Sequence, residues 1–567
     1  MRLVPHRWAA PLLLLSATLA AGCGDDSSSG GSGTGAAPTS GGGGAGGDGG
    51  SGGAGGAAVD PTQACVDLGL PSLEFIAAGA GNLRGEVAGD FELTLVDGTT
   101  FSLQERFSGC DSYIFLPDTL VVSESDSSSL WEKDLDDLIE RSPKNVHYFF
   151  VSRRTDEAEA TASTTAMQGR VEAELAKLTA EDAAHWAERL HVVKDRAAVI
   201  EGYVGGLLDG IGRIGFAIDR EQKLRGVGFL ADVNRYSSVL AQQELWPWRS
   251  NLAYAANEAL YMNGQAELSA RLAAEDATVV TLWDGETLEE FAEIDVQLPS
   301  ASEMANFDTL ELEVESRCPL EDQLEFGNCG AWDYLASFAL LEGETRHEIS
   351  RFITSYHRET RWVVDASALL PLLQGAGERH FRWDFAPSWN TQPTRTHFFL
   401  RFSNQGKAAK PASVTPLWTG AAFNSMYNAT REPLTTTVPA GTKKVEFFAI
   451  VTGHGAAISQ CAEFCNHQHR LTANGTPFDK EFTEAGTEEG CIAETPNLMV
   501  PNQAGTWWFG RGGWCPGQQV KPWVIDLTDV AAPGEELTLT YEGLFGGMTP
   551  PDDAGDIVLS SYLVMHQ

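Results

Sequence analysis

From residue 278 to the C-terminus, the chain is dominated by short segments in which apolar and polar residues alternate, separated by turns rich in Gly, Pro and Asn. Residues 309–314, 444–449 and 536–541 show this alternation clearly. A period of two places one face of a strand against a core and the other face in solvent. The spacing of these segments therefore predicts two consecutive β-sandwiches.

Residues 61–236 have a different pattern, in which strand-like and helix-like segments alternate. The apolar runs at 113–116 and 147–151 are typical of buried strands, and a helical spacing follows the first of them. The order strand–helix–strand–helix–strand–strand resembles the thioredoxin-like fold. Because no Cys-x-x-Cys pair follows residues 113–116, we expect an α/β spacer or binding module without redox activity. Residues 237–276 are predicted to form a helical connector.

Residues 1–60 carry a targeting signal and a tether. An apolar run around residues 12–15 is too short to span a membrane, and residues 19–23 (Leu-Ala-Ala-Gly-Cys) resemble a lipobox. In such signals residues 1–23 form the signal peptide with its lipobox, and the cysteine, here Cys23, is acylated. Residues 24–60 are almost wholly small and polar, which predicts a disordered tether. We therefore expect an exported lipoprotein of the outer membrane or cell surface, attached to the membrane only through its N-terminal lipid.

The charge of the chain argues against nucleic acid as a partner. Its 78 acidic and 39 basic residues give a formal net charge of −39. A field of that sign repels phosphate backbones and anionic membrane surfaces.

Eight cysteines remain besides Cys23, and an even number in an exported protein predicts disulfides. They are Cys65, Cys110, Cys318, Cys329, Cys461, Cys465, Cys491 and Cys515. Spacing alone does not settle the pairing, although a structural Cys65–Cys110 bridge is the favoured interpretation for the N-terminal domain.

Three motifs in the β region each place one ionisable residue beside a cysteine and an aromatic residue. They lie at 318–334, 453–465 and 510–517, and their ionisable residues are Asp333, Glu463 and Arg511. A bridge between the cysteines on either side of Glu463 would restrict its backbone. The glycines beside Arg511 would let its guanidinium approach a ligand. Carboxylates near an arginine and near each other have perturbed pKa values, a property of active sites.

In these motifs the chain resembles the peptide-N-glycosidase F family. The matching phrases are Cys-Gly-Ala-Trp-Asp-Tyr (329–334), Ile-Ser-Arg-Phe-Ile-Thr-Ser-Tyr (349–356), Cys-Ala-Glu-Phe-Cys (461–465) and Arg-Gly-Gly-Trp-Cys-Pro-Gly (511–517). The resemblance implies tandem eight-stranded jelly rolls at 277–415 and 416–567, with a site in the cleft between them. It also implies hydrolysis of the side-chain amide of glycosylated Asn in glycoproteins or glycopeptides, by a monomer without metal or cofactor.

The resemblance further implies roles for single residues. Asp333 would activate water, Arg511 would stabilise developing charge, and Glu463 would hold the substrate. The residues expected to contact the glycan are Asp384, Trp332, Trp514 and His454. The implied disulfides are Cys318–Cys329, Cys461–Cys465 and Cys491–Cys515. Asp384 stands where the family has Glu, and Thr452 and Ala386 stand where it has Trp, so glycan preference is open.

Three other interpretations remain. Paired carboxylates beside aromatic residues also serve glycoside hydrolases. A glycan-binding surface protein without turnover would keep the same cleft. Finally, twin jelly rolls resemble copper monooxygenases, and His467 and His469 on one strand face, with His454, would be candidate copper ligands.

Overall fold

The computed structural model describes residues 65–66, 69–118, 129–209, 215–228, 251–319, 330, 332–375, 377–455, 462–487, 489–503, 505–552 and 554–567. All of them belong to one compact unit, Asp60–Gln567. The predicted signal peptide with Cys23, the tether, Cys329 and Cys461 lie outside the described residues. None of the described helices is long and apolar enough to cross a membrane.

The N-terminal domain is built on a five-stranded mixed sheet with the strand order β5–β4–β3–β6–β7. Its strands are β3 (Ser112–Pro117), β4 (Val146–Val151), β5 (Leu190–Val192), β6 (Phe216–Ile218) and β7 (Leu224–Gly226). A separate hairpin, β1 (Glu92–Thr94) and β2 (Thr100–Ser102), precedes them. Strands β3, β4 and β5 are parallel, and every residue of β3 and β4 is buried, as expected for parallel strands covered on both faces.

The helices of this domain confirm its α/β character, while its thioredoxin-like classification stays a prediction. They are α1 (Leu103–Arg106), α2 (Leu135–Arg141), α3 (Glu157–Leu175), α4 (Ala180–Ala187) and α5 (Gly202–Asp209). The predicted connector contains α6 (Tyr254–Ala274). Its small residues Ala255, Ala256 and Ala259 pack into the same core as the sheet, so α6 belongs to this domain as well as leading out of it.

The β region contains two eight-stranded units. The first comprises β8 (Ala277–Leu288), β9 (Phe291–Leu298), β10 (Thr309–Arg317), β11 (Leu335–Glu342), β12 (Thr345–Ile353), β13 (Thr360–Asp365), β14 (Gly377–Asp384) and β15 (Thr394–Ser403), with the short helix α7 (Ala301–Met304). The second comprises β16 (Pro411–Ala422), β17 (Leu434–Thr437), β18 (Lys444–His454), β19 (His467–Ala473), β20 (Thr476–Glu481), β21 (Trp523–Asp526), β22 (Glu536–Phe545) and β23 (Asp556–His566).

The strand order identifies both units as jelly rolls. The sheets of the first unit have the orders β13–β10–β15–β8 and β12–β11–β14–β9, and those of the second β16–β23–β18–β21 and β17–β22–β19–β20. In each unit the first, eighth, third and sixth strands form one sheet, and the second, seventh, fourth and fifth form the other. The predicted tandem jelly rolls are therefore confirmed. The second begins at Pro411 rather than at residue 416, because the edge strand β16 tolerates Pro416 at a register irregularity.

The two jelly rolls pack side by side and share a core. Phe448, Ile450 and Tyr562 of the second unit lie in the same apolar cluster as the interior of the first unit. Nine successive residues of β18 are buried, because one of its faces lines its own core and the other contacts the neighbouring jelly roll.

A buried ion pair lies at this contact. Arg351 and Glu348 of β12 are joined by two hydrogen bonds, of 2.9 and 2.6 Å. Arg351 Nη1 also donates to Thr452 Oγ1 and to the Val558 carbonyl of the second jelly roll, each at 2.8 Å. Residues three apart in a strand ordinarily point to opposite faces, but a bulge opposite Phe338 and Ala339 brings Glu348 and Arg351 together.

We predict that Arg351→Met lowers the free energy of unfolding by about 3–5 kcal/mol, because it leaves the Glu348 carboxylate buried without a counter-charge. The double variant Glu348→Gln/Arg351→Met should recover most of this loss. Calorimetric unfolding of the three proteins measures both effects. If the free energy of unfolding of Arg351→Met were within about 1 kcal/mol of the wild-type value, the ion pair would not be needed at the contact.

Candidate active site

Asp333, Glu463 and Arg511 meet at the junction of the two jelly rolls. Asp333 precedes β11 of the first jelly roll, whereas Glu463 lies between β18 and β19, and Arg511 between β20 and β21, of the second. Arg511 Nη2 lies 3.5 Å from Asp333 Oδ2, and Arg511 Nε lies 3.7 Å from Glu463 Oε1. The structure therefore brings together the three residues that the sequence motifs singled out.

Arg511 is a buried and immobilised cation. Its side chain is 1% exposed. Nη1 donates to the carbonyls of Thr506 and Phe509 at 2.9 and 2.6 Å, and Nη2 donates to Thr506 Oγ1 at 2.7 Å. The rings of Phe464 and Trp514 lie 5.2 and 5.0 Å from the guanidinium carbon, within cation–π range. Nε has no hydrogen-bond partner among the described residues and faces Glu463.

The glycines beside Arg511 allow close packing of the backbone around it, and their predicted role in letting the guanidinium approach a ligand stays a prediction. A Cβ at Gly510 would lie 1.8 Å from the Glu484 carbonyl oxygen, and a Cβ at Gly512 would lie 2.3 Å from His467 Nε2. The amide of Gly512 donates to the Glu463 carbonyl at 2.6 Å. This approach places the backbone of Arg511 directly against the backbone of Glu463.

Two disulfides expected from the sequence are present, Cys65–Cys110 and Cys491–Cys515. The second ties the chain just after Arg511 to an earlier segment. Cys318 and Cys465 are also disulfide-bonded, and their expected partners lie outside the described residues.

Both carboxylates of the site have raised pKa values. Burial raises the pKa of Asp333, and the nearby Arg511 charge and a hydrogen bond with Tyr356 offset only part of that effect. Burial likewise raises the pKa of Glu463, and Arg511 offsets this in part, while the charge of Asp333 adds to it. The Gly455 amide donates to Glu463 Oε2 at 3.2 Å. Raised carboxyl pKa values around a fixed cation are typical of catalytic sites.

Tyr356 is a site residue that the sequence analysis did not single out. It is buried, its hydroxyl lies within interaction range of Asp333 and Thr506, and burial raises its pKa. It therefore contacts the carboxylate and also the threonine that anchors Arg511. Its position within the matching phrase at 349–356 is the signal that could have identified it.

Two exposed tryptophans lie against residues next to or in contact with Asp333. Trp332 is 52% exposed and lies beside Tyr356, with ring centroids 6.5 Å apart. Trp389, which the sequence analysis missed, is 77% exposed and packs edge-on against Tyr334 at 5.6 Å. Large exposed tryptophans are uncommon on a protein surface and mark contact sites.

Trp514 does not offer the free face for a sugar that the sequence predicted. It is only 5% exposed, and its Nε1 donates to the Gly453 carbonyl at 2.8 Å. The His454 ring stacks on it at 5.1 Å, and Arg511 lies over the ring at 5.0 Å. Its contact with Arg511 is therefore its direct connection to the site.

His454 connects the site to the contact between the jelly rolls. Its Nε2 is hydrogen-bonded with Thr452 Oγ1 at 2.7 Å, and the same oxygen accepts from Arg351. Burial, with a smaller effect of Arg351, lowers the pKa of His454 to about 3, so the ring is neutral. Its contact with a glycan stays a prediction.

Asp384 lies at the end of β14 and is paired with two arginines of the first jelly roll. Arg382 Nε lies 2.8 Å from one of its oxygens, and Arg346 Nη2 lies 3.1 Å from the other. The described residues include no hydrogen bond or ion pair between Asp384 and Asp333, Glu463 or Arg511. Its role in substrate binding stays a prediction.

His467 and His469, the candidate copper ligands, form a buried hydrogen-bonded chain on one face of β19. One pattern satisfies every ring nitrogen: His467 Nε2 donates to the Ala462 carbonyl at 2.9 Å, His469 Nε2 donates to His467 Nδ1 at 2.7 Å, and the Tyr541 hydroxyl donates to His469 Nδ1 at 2.6 Å. Burial lowers the pKa of His467 to about 4. The described residues contain no cluster of three or more His, Cys, Asp or Glu suited to a metal ion.

We predict that His469→Phe lowers the free energy of unfolding by about 1–3 kcal/mol, because it leaves Nδ1 of His467 without a partner and removes one of the two hydrogen bonds of the Tyr541 hydroxyl, which keeps its bond with Tyr427. Thermal unfolding of the wild type in equimolar Cu²⁺ should match unfolding in EDTA, since each ring nitrogen of the pair already has a partner. A copper-dependent rise in Tm that His469→Phe abolishes would instead establish a metal site.

Comparisons with known proteins agree with the motifs of the β region. Residues 422–564 match the family described as peptide-N-glycosidase F, C terminal. A curated relative from Elizabethkingia miricola, peptide-N(4)-(N-acetyl-β-D-glucosaminyl)asparagine amidase F, is 24% identical over 307 residues, covering 49% of this chain and 79% of that protein.

Solved structures of such proteins are also similar. PNGase F, a glycosylasparaginase from Flavobacterium meningosepticum, is 19% identical with a TM-score of 0.40, and the match covers 51% of this chain and 96% of that one. PNGF-II is 13% identical with a TM-score of 0.39, over 53% of this chain and 68% of that one. The family match and the curated relative confirm the resemblance seen in the motifs: through its C-terminal half, this chain is a distant relative of the peptide-N-glycosidase F family.

Proposed function

We propose that this protein is a peptide-N-glycosidase, which hydrolyses the side-chain amide of Asn-linked glycans, releases the glycan and leaves Asp in the peptide. The observation that carries the proposal is the buried Arg511 guanidinium set between two carboxylates of raised pKa, Asp333 and Glu463. The curated relative is named for this amidase activity, and the exposed Trp332 beside the site suits a sugar ring.

Hydrolysis of an amide requires an activated water and a group that stabilises the developing oxyanion. Asp333 takes a proton from water, which adds to the amide carbon. The bond between that carbon and the nitrogen then breaks, and the nitrogen takes the proton that Asp333 accepted from water. The sugar therefore leaves as a glycosylamine, and the former Asn remains in the peptide as Asp. Because its pKa is raised, Asp333 is a stronger base than an exposed aspartate.

Arg511 stabilises the oxyanion. Its guanidinium is held by Thr506 and Phe509 before any substrate binds, so it need not reorganise during the reaction. Its Nε faces Glu463, and a substrate oxygen could accept from it there. In this proposal Glu463 holds the substrate through a hydrogen bond or a bridging water, and Trp332 and Trp389 bind sugar rings.

We further propose that the enzyme is exported and acts as a monomer on N-glycosylated proteins or glycopeptides. The disulfides support an oxidising compartment. The lipobox-like residues 19–23 support anchoring through Cys23, at the outer membrane or cell surface.

We predict that the wild type converts the glycosylated Asn of a glycopeptide to Asp, with one oxygen taken from the solvent. Mass spectrometry of the peptide after reaction in H₂¹⁸O measures this. Asp333→Asn should lower kcat by about 10²–10⁴-fold while retaining glycopeptide binding, because it removes the base and keeps the shape. Asp479→Asn, on the exposed strand β20, is the matched control and should keep full activity.

The same experiment separates the other interpretations. A glycoside hydrolase would leave N-acetylglucosamine on an unchanged Asn, and that product would refute the amidase proposal. A wild type that binds the glycopeptide and never releases its glycan would be a glycan-binding protein.

We predict that kcat/KM falls at acid pH with an apparent pKa above 3.8, the ordinary value for Asp, because the reaction needs ionised Asp333 and burial raises its pKa. Activity therefore appears as the pH rises through that raised pKa. Arg511→Gln removes the cation that lowers the pKa of both carboxyls, so the acid limb should move to still higher pH, and kcat should fall by about 10²–10³-fold. An exposed control, Arg470→Gln, should leave the kcat/KM–pH profile unchanged.

A further inference from the structure

The N-terminal domain contacts the first jelly roll through a buried ion pair. Glu258 lies on α6, and Arg358 lies in the loop between β12 and β13; both are buried. Arg358 Nη1 and Nη2 donate to the two Glu258 oxygens at 2.6 and 3.3 Å. Paired and hydrogen-bonded in this way, two buried charges define one orientation of the helix against the loop.

The same guanidinium binds two further segments. Nη1 donates to the Pro501 carbonyl at 2.5 Å, and Nη2 donates to the Gly226 carbonyl of β7 at 3.2 Å. One side chain therefore joins two elements of the N-terminal domain to the segment around Pro501. That segment leads to Thr506 and Arg511.

Asn502 completes the contact. Its Nδ2 donates to Glu258 Oε1 at 2.6 Å and to the Tyr254 carbonyl at 2.9 Å. The fit is tight, since a Cβ at Gly228 would lie 2.2 Å from the Asn502 carbonyl oxygen and 2.9 Å from Arg358 Nη1.

Both segments fixed by this contact enter the candidate active site. Tyr356 lies two residues before Arg358, and its amide donates to Gln503 Oε1 at 2.9 Å. Its ring packs on Gly505, where a Cβ would lie 2.8 Å from the ring carbons. Its hydroxyl reaches Asp333 and Thr506, and Thr506 in turn holds Arg511.

We infer that the N-terminal α/β domain is a structural part of the active site, because the Glu258–Arg358–Asn502 contact holds Tyr356 against Asp333 and Thr506 against Arg511. The inference rests on the proposed function. Glu258, Arg358 and Asn502 are positioning residues that act through Tyr356 and Thr506. This role goes beyond the spacer or binding module expected from the sequence. Catalytic groups must be held within a fraction of an ångström of their productive positions. A displacement of the loop between β12 and β13, which carries Tyr356, would therefore change the surroundings of Asp333.

Glu258→Gln tests the inference, because it keeps the side-chain shape and leaves Arg358 without this counter-charge. We expect kcat to fall by about 10- to 100-fold with KM changed by less than about threefold, since orientation is lost rather than sugar binding. The acid limb of kcat/KM should also move to higher pH, because the Tyr356 hydroxyl that lowers the pKa of Asp333 is displaced. The other groups facing Asp333 are Arg511, Glu463 and Tyr334, and the substitution removes none of them.

Glu275→Gln is the matched control. Glu275 directly follows α6, lies 3.5 Å from Arg401 of the first jelly roll and bonds to Ser403 and Gln405. The substitution weakens the same domain contact at the other end of the helix, away from Tyr356. It should leave kcat and the acid limb at wild-type values.

Two more variants keep the test decisive if Glu258→Gln folds poorly. Asn502→Gly removes the donor to Glu258 but suits the left-handed backbone at this position (φ 51°), and it should shift kcat and the acid limb in the same direction by a smaller amount. Tyr356→Phe removes the hydroxyl directly and should reproduce the shift of the acid limb. If Glu258→Gln and Asn502→Gly lower Tm while kcat and the acid limb stay unchanged, the contact serves only stability and the inference is wrong.

A measurement that does not depend on turnover separates this inference from the proposed function. The carboxyl ¹³C NMR signal of Asp333 is the one that Asp333→Asn removes, and its titration gives the pKa directly. If the wild type releases no glycan, the proposed function fails. Glu258→Gln must still raise the pKa of Asp333 for the positioning contact to stand.

Discussion

The arrangement of the site depends on the burial of one positive charge, that of Arg511. A buried guanidinium is stable only when its donors and its charge are balanced, and here two carbonyls, a threonine hydroxyl, two aromatic rings and two carboxylates surround it. Asp333 belongs to one jelly roll and Glu463 to the other. Balancing this charge therefore requires the two jelly rolls to meet in one orientation, and their meeting place becomes the site.

Two other buried arginines also pair with acidic side chains, at the contacts between structural units. Arg351 joins the two jelly rolls, and Arg358 joins the N-terminal domain to the first of them. Each has a glutamate partner and also donates to backbone carbonyls across the contact. Arginine suits this use because its planar, rigid fork can bond several acceptors at once while remaining charged. The site is connected to both contacts, to the first through Thr452 and His454 and to the second through Tyr356.

Much of the fold could be predicted because its signals are local. Alternation of apolar and polar residues indicated the β region, and apolar runs separated by helical spacing indicated the α/β domain. The sequence pattern predicted an element poorly wherever tertiary contacts, and not the local pattern, determined its structure. The three-residue strand β5 has too few residues for a pattern of its own and forms by pairing with β4. The boundary expected at residue 416 lies inside β16, because an edge strand can forgo one hydrogen bond and so tolerates Pro416.

The sequence by itself determined that the chain has an α/β part followed by a β part. It also determined that Asp333, Glu463 and Arg511 are the candidate site residues. Both follow from composition, periodicity and motif spacing, which are properties of the sequence alone. Only the tertiary structure decided that Trp514 is buried against Arg511 and that Tyr356 contacts Asp333. It alone showed that α6 contacts the loop that carries Tyr356, through the ion pair of Glu258 and Arg358, which are 100 positions apart in the sequence. The reason is physical: burial, desolvation and the pairing of charges are properties of neighbours in space, and such neighbours can be far apart in the sequence.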